Sequence, residues 1–518
     1  MTKATKFISG IELEYVSGSF TGLIKIPNKN KEIEKENIAD ASKLITFIHK
    51  KLKGYFTLSS LFNAYQEEKD GKLINDNDRF NHTSLYADSG GLQVITAGKT
   101  INDEVKEKVY KTQAMYCDYA MTFDEMPVKI VKELATGSVA GADGQVFIDE
   151  LISISAKKSA KHIQKQIDMF EELKTNTKIM PILHGYSGET FIEYAQTILN
   201  ELHHIGDHIQ GVAIASLRGH ADNKVGMMKV FDYVPKVINS EKIPSEYKKH
   251  VHLLGVGAHQ RLLPALMMVK KGILPIEKLS FDSTKIMKSY TYGKVFQSVE
   301  ELINPKNFNP VLTLKKYDDK TQPNIKQFYE NVHNLFFDYD DYVFSDWEDL
   351  AKHSQNNGEP ITMGKQFEKY GVEYERKYLS QVRYATMYHI YTFLSVCEAY
   401  LDDELTIENI MGYNDSILHI FQKFDSVSTH EQFAEVCDYF YTTAKTGRTD
   451  LRIVKCKTLK EFEERFEHNR VDSYLELGIE KDVEILNEEL KKPWIKTSMK
   501  RAKVVDYSNE IHPSDGLF

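Results

Sequence analysis

Residues 84–94 read Ser-Leu-Tyr-Ala-Asp-Ser-Gly-Gly-Leu-Gln-Val. A short apolar run stops at an aspartate, two glycines follow, and a longer segment begins. Five later segments repeat this grammar: YAMTFD at 119–124, IMPILHG at 179–185, GVAIAS at 211–216, VHLLGVG at 251–257 and KLSFDS at 278–283. Short apolar runs bounded by Gly, Pro or Asp, alternating with segments of helical periodicity, mark βα units around a parallel sheet. In the helix expected after Asp143, Ile163, Ile167 and Phe170 share one face. Lys157, Lys158, Lys161 and Lys165 lie on or near the opposite side and read as a solvated surface. The expected architecture is an α/β (β/α)8 barrel of TIM type.

Outward from this core the texture changes. The first eighty residues are mixed, and the Lys/Asn/Glu-rich stretch from Pro27 to Glu36 reads as a solvated loop. From about residue 315 the alternation fades. No proline occurs between Pro360 and Pro493, and Tyr384, Tyr388 and Tyr391 recur at helical spacing, a stripe that reads as core before it reads as a base-stacking platform. A chain of 518 residues exceeds what one hydrophobic core usually serves. The expected organisation is a barrel domain over 1–315 and a mainly helical domain over 316–518.

Composition narrows the setting. No apolar run is long enough to span a bilayer, and the opening MTKATKFISG lacks the pattern of a secretory signal, so a soluble cytoplasmic protein with no membrane partner is expected. Cys117, Cys397, Cys437 and Cys456 lie far apart, which suggests reduced structural thiols and no metal site. A formal charge of −9 argues against a uniformly basic nucleic-acid coat, so any such contact must be local. The densest basic cluster, Lys491, Lys492, Lys496, Lys500, Arg501 and Lys503, suits phosphate contacts or a plain surface arm equally well.

In a parallel barrel all strand C-termini open on one face, and reactive residues gather there. Reading each candidate strand to its end yields Asp88, Asp124, His184, Ser216, Gly255 and Asp282. Three carboxylates in one bowl repel one another, which separates their proton affinities and hence their roles. That division suits a glycosidic substrate, with one carboxylate attacking the anomeric carbon and another moving the proton. Position alone equally permits an aldolase, a metal-dependent hydrolase or an isomerase.

The motifs are more specific. Asp88-Ser89-Gly90-Gly91-Leu92-Gln93-Val94 resembles the DSGG(F/Y)QV signature of the tRNA-guanine transglycosylase superfamily, and MTFDE, carrying Asp124, resembles that family's second motif. ILHG stands where the family has VQG, GVAIAS-Leu217 stands for AxGGL, HLLGVG for YLMGVG, and SFDS for the segment holding the nucleophile. The match covers roughly residues 80 to 290. It implies that Asp282 attacks C1′ and expels guanine, leaving a covalent glycosyl-enzyme, and that Asp88 protonates the departing purine and deprotonates the incoming base. It implies further that Asp124 accepts from the N1–H and amine edge of the base. The wall of the base site would comprise Ser89, Leu92, Gln93, His184, Ser216, Leu217, Leu254 and Gly255, with Ser216, Leu217 and His184 facing O6 and the 7-substituent. No cofactor is implied, because one N-glycosidic bond replaces another.

Departures from the pattern bear on the polymer. Leu92 and Leu254 stand where the family stacks an aromatic and a methionine on the base, and Ala215-Ser216 replaces its Gly-Gly. The Cys-x-Cys-x-x-Cys…His zinc motif of the tRNA enzymes does not occur after Asp282. In these respects the chain is most similar to the superfamily's DNA-acting branch, which inserts 7-deazaguanines such as preQ0 as protection against restriction. The resemblance therefore implies DNA and a free 7-deazaguanine base as partners, with tRNA as the alternative. DNA would have to present a flipped or unstacked guanosine. Lys285, Lys288, Tyr290 and Tyr292, just past Asp282, are candidates for its flanking phosphates.

Overall fold

Strands β1 (Glu12–Gly18) and β2 (Phe56–Asn63) arise from the part of the chain whose texture is mixed, and they pair in parallel at the centre of the sheet. Their inward positions explain why they do not read as apolar runs: Glu14 and Ser59 point into the barrel and hydrogen-bond each other there. The computed structural model describes residues 6–18, 43–65, 84–90, 102–125, 148–185, 188–203, 208–215, 217, 223–283, 286, 294–303, 311–313, 322–340, 383–411 and 415–443.

The six strand segments expected from the sequence are present. They form β3 (Leu85–Asp88), β4 (Tyr119–Met121), β5 (Lys178–Met180), β6 (Ile182–Leu183), β7 (Gly211–Ile214), β8 (His250–Leu253) and β9 (Lys278–Asp282). The nine strands lie in the order β5-β4-β3-β2-β1-β9-β8-β7-β6, and every pairing among them is parallel. Pro181 alone separates the two edge strands, β5 and β6; lacking an N–H, it interrupts the ladder. Across this seam Ala213 N–H donates to the Pro181 carbonyl at 2.9 Å, and a parallel bridge joins Ile179 to Ile209. The sheet therefore curls into a nearly closed, TIM-like α/β barrel.

Helices Asp103–Tyr116, Ile148–Glu172, Gly188–Glu201, Asn223–Asn239 and His259–Lys270 connect successive strands from β3 onward. Ile163, Ile167 and Phe170 are fully buried, whereas Lys157, Lys161 and Lys165 are exposed, as the helical periodicity requires. Successive side chains of a strand point to opposite faces. Val16, Leu61, Tyr86, Met121, Ile182 and Ala213 consequently fill the barrel, while Leu13, Phe56, Val251 and Phe281 face the surrounding helices.

The described part of the second half is mainly helical, and it completes the barrel's outer wall. A helix over residues 383–401 is buried on nearly every side, and its Arg383, Thr386, His389, Thr392 and Glu398 are buried along with its apolar residues. Its Phe393 stacks on His259 with centroids 4.2 Å apart and reaches Phe281 of β9 at 6.4 Å. Glu398 of the same helix accepts the backbone N–H groups of Lys53, Gly54 and Tyr55 at 2.6, 3.0 and 2.8 Å, tying the helix to the start of β2. Phe424 stacks on Phe231 at 3.7 Å. Tyr384 and Tyr388 are core residues, and Cys117, Cys397 and Cys437 are buried. Among the described residues no helix is long and apolar enough to cross a membrane. The Pro27–Glu36 stretch, Cys456 and the basic cluster at 491–503 lie outside the described residues.

Candidate active site

The alternation that builds the barrel also aims the site. Asp88 shares the inward face of β3 with Tyr86, and Asp282 shares that of β9 with Ser280 and Lys278; both aspartates are the last residues of their strands. His184 follows β6 directly, Asp124 lies three residues beyond β4, and Gly255 lies two beyond β8. Because all these strands run the same way, the five residues belong to one rim.

Asp282 is almost fully buried, with 2% of its surface exposed. The Gly255 N–H donates to its Oδ1 at 2.7 Å, and His252 Nε2 lies 3.3 Å from the same oxygen. The turn that delivers Gly255 has no room for a side chain at Gly257. A Cβ there would stand 1.4 Å from Ser283 Oγ. The second glycine of GVG is thus a steric requirement of seating the turn against the residue after Asp282, and the first adopts φ +70°, a conformation that favours glycine.

Asp88 is partly exposed, and its Oδ1 accepts the Gly90 N–H at 3.2 Å, the local bond that turns the chain sharply after the strand. Gly90 adopts φ +81°, and a Cβ would lie 2.5 Å from Tyr65 Cβ, so both conformation and space call for glycine in the Asp-Ser-Gly turn. Ser89 is fully buried.

Asp124 and His184 contact each other, Oδ2 to Nε2 at 2.5 Å, and both are buried. Their backing is shared. Ser159 Oγ accepts the Glu125 N–H at 2.9 Å, Ser155 donates to the Glu125 carbonyl, and both serines hydrogen-bond the Tyr194 hydroxyl. The edge of His184 packs against the Tyr194 ring at 5.7 Å. Burial, offset in part by the two serines, pushes the Tyr194 phenol upward, so it remains a protonated donor. Glu125 points away to His162 Nε2 at 2.9 Å and Lys106 at 3.8 Å. One helix, Ile148–Glu172, therefore sets the loop carrying Asp124.

Leu217 is fully buried, and half-buried Leu254 packs on the barrel's inner apolar cluster. Leu92, Gln93, Ser216, Lys285, Lys288, Tyr290 and Tyr292 lie outside the described residues. Among the described residues no group of three or more His, Cys, Asp or Glu is arranged to hold a metal ion.

Beneath the rim lies a polar interior that the strand-end reading does not include. His250 and His252 on β8, Ser280 and Lys278 on β9, Tyr86 on β3 and Glu14 on β1 form a connected set inside the barrel. Burial, with smaller contributions from Lys278 and His252, holds His250 far below its ordinary range and hence neutral. The sequence carries a trace of this: His250 and His252 sit two apart within an apolar strand, as do Lys278, Ser280 and Asp282. Polar residues at period two mark one face of a strand.

No protein-family model matches the chain, and no curated protein matches it.

Proposed function

We propose that this chain is a guanine transglycosylase, a (β/α)8 barrel enzyme with a mainly helical C-terminal region. It exchanges guanine in DNA for a 7-deazaguanine base through a covalent Asp282 glycosyl-enzyme. The observation that carries the reading is the setting of Asp282: a buried carboxylate at a barrel strand end, gripped by the Gly255 N–H, on the rim that also bears Asp88 and the Asp124–His184 pair.

In the first half-reaction the Asp282 carboxylate attacks C1′ as the C1′–N9 bond breaks, and Asp88, reachable from solvent, gives the departing guanine its proton. In the second, Asp88 takes the N9 proton of the incoming base, which displaces the carboxylate. Asp124, steadied by His184, offers an acceptor to the N1–H and amine edge, and Leu254 offers the base an apolar face. The preference for DNA rests on the spelling of the motifs and on the lack of the zinc motif of the tRNA enzymes in the sequence.

The test is incubation of the protein with isotope-labelled preQ0 and, separately, duplex DNA, single-stranded DNA and tRNA, followed by mass spectrometry of the nucleosides. Label in DNA is the expected result. Label in tRNA alone would replace the polymer and keep the chemistry. Absence of label in all three, together with no adduct of Asp282 with any of them, would leave a nucleic-acid-binding protein without catalysis. Asp282→Asn should abolish the adduct, and Asp88→Ala should slow both half-reactions by about a hundredfold or more.

A further inference from the structure

The two donors that reach Asp282 converge on a single oxygen. Gly255 N–H and His252 Nε2 both approach Oδ1, at 2.7 and 3.3 Å. Behind His252 runs a chain of buried groups. His252 Nδ1 lies 2.8 Å from Ser280 Oγ, Ser280 Oγ lies 2.7 Å from His250 Nε2, and His250 Nε2 lies 3.3 Å from the Tyr86 hydroxyl. Tyr86 in turn donates to Glu14, which Ser59 also reaches and which pairs with Lys278 at 2.7 Å.

Donor counting gives this chain one direction. An ionised carboxylate only accepts, so the single Tyr86 proton goes to Glu14 and the Tyr86 oxygen faces His250 as an acceptor. His250 Nε2 must then carry a proton, shared between Tyr86 and Ser280. Its other nitrogen, Nδ1, has no hydrogen-bond partner among the described residues, so no acceptor is there to take a proton from it. Ser280, having accepted, turns its own proton toward His252 Nδ1. That leaves His252 Nε2 as the protonated nitrogen facing Asp282. The charged groups inside the barrel are compensated at its floor: burial alone would lower the Lys278 ammonium, and Glu14, Tyr119 and Glu12 together raise it above its ordinary value.

We propose that this buried chain, anchored on the Glu14–Lys278 pair, locks His252 as the neutral Nε2–H tautomer. His252 is thereby a positioning residue that holds Asp282 by Oδ1 and leaves Oδ2 to attack the sugar. The kinetic part rests on the transglycosylase reading; the tautomer does not. Oδ2 forms the bond to C1′ as the C1′–N9 electron pair leaves on guanine, which Asp88 protonates. When the incoming base, deprotonated by Asp88, forms the new C1′–N bond, the Oδ2–C1′ pair returns to the carboxylate, and part of that charge falls on Oδ1. A donor on Oδ1 stabilises the carboxylate as a nucleophile and as a leaving group, so it does not speed attack and does speed release. Removing it should therefore make the covalent adduct accumulate.

The first experiment is NMR of histidine-15N-labelled protein at neutral pH, with resonances assigned through His250→Gln and His252→Gln. Both rings should show a protonated Nε2 and an unprotonated Nδ1. A cationic or Nδ1–H His252 overturns the proposal, whether or not base exchange is ever detected. The second compares the fraction of protein trapped as adduct at steady state. His252→Phe should exchange bases roughly tenfold or more slowly, the loss expected for a charge-assisted hydrogen bond, with a larger adduct fraction. His252→Gln, whose amide can supply the missing N–H, should recover most of the difference. An unchanged adduct fraction in a His252→Phe protein that folds and melts like the parent overturns the positioning role. No adduct in the unmodified protein counts against the transglycosylase reading and leaves the NMR result to decide the tautomer.

Discussion

His184, just after β6, and Asp124, just after β4, meet with 2.5 Å between Nε2 and Oδ2, so each is the other's principal buried partner at the rim. Two residues that the motifs assign to separate atoms of a base are thus one unit before any base arrives. Removing one side of a buried pair leaves the other uncompensated. His184→Ala should cost about 3–5 kcal/mol in stability and raise KM for the free base more than it lowers kcat. His184→Gln, which keeps an N–H donor, should lose less on both counts. Thermal denaturation and initial rates at varied base concentration check this; equal losses for the two variants would contradict it.

Gly257 should tolerate no side chain. The Cβ of an alanine would overlap Ser283 Oγ, at 1.4 Å, and Cβ, at 2.0 Å, so the turn or the end of β9 must shift. Gly257→Ala should destabilise the fold by about 1–3 kcal/mol, the usual range for overpacking. It should also slow base exchange by more than tenfold, because the Gly255 N–H and Asp282 separate. Adding Ser283→Gly to Gly257→Ala should restore much of both, measured by melting temperature and by adduct trapping.

Three buried histidines predict an acid-labile fold. Burial lowers His259 to about 4 and His389 to about 3, and holds His250 well below its ordinary 6.5. A base with a depressed folded value contributes stability that is present above pH 6.5 and lost as pH falls toward the folded value. Each can remove up to about 1.4 kcal/mol per pH unit in that window. Glu398 acts oppositely: burial raises it above 4.5, so its contribution is lost as pH rises. One group against three leaves a net loss in acid. Urea denaturation at pH 7 and pH 5 should show lower stability at pH 5, with a smaller drop in His259→Phe.

The second half should be inseparable from the barrel. A fragment ending at residue 315 lacks Phe393, which covers His259 and Phe281, and Glu398, which satisfies three N–H groups before β2. Exposing that apolar wall and orphaning those donors costs several kcal/mol, comparable to a domain's whole stability. The fragment should show no cooperative melting transition. In the full chain, Glu398→Ala should lower the melting temperature more than an exposed carboxylate-to-alanine change does.

Strands β3 and β7 were legible because both of their faces are largely apolar, so they stand out as short hydrophobic runs; β9 was legible by Leu279 and Phe281 leading into Asp282. Strands β1 and β2 escaped because Glu14 and Ser59 face a polar interior, and inward polar residues imitate a loop. The rim residues Asp88 and His184 were legible because each is the first polar group after an apolar run, and Asp282 because it closes the Leu279–Phe281 segment. His252 was not, since a histidine inside a strand reads as core until its neighbours are known. Those neighbours, Ser280 and Asp282, are 28 and 30 residues away in sequence.

The sequence by itself determined the βα alternation, the residues at the strand ends and the motifs that suggest base exchange, because periodicity and strand-end chemistry are local properties. Only the tertiary structure decided which polar groups meet. It joined Asp124 to His184, set Asp282 on Gly255 and His252, and ran a hydrogen-bonded chain from Asp282 to Glu14 across β9, β8, β3 and β1. The physical reason is that a hydrogen bond is specified by distance and direction between atoms, and strand pairing brings those atoms together from parts of the chain that share no local pattern.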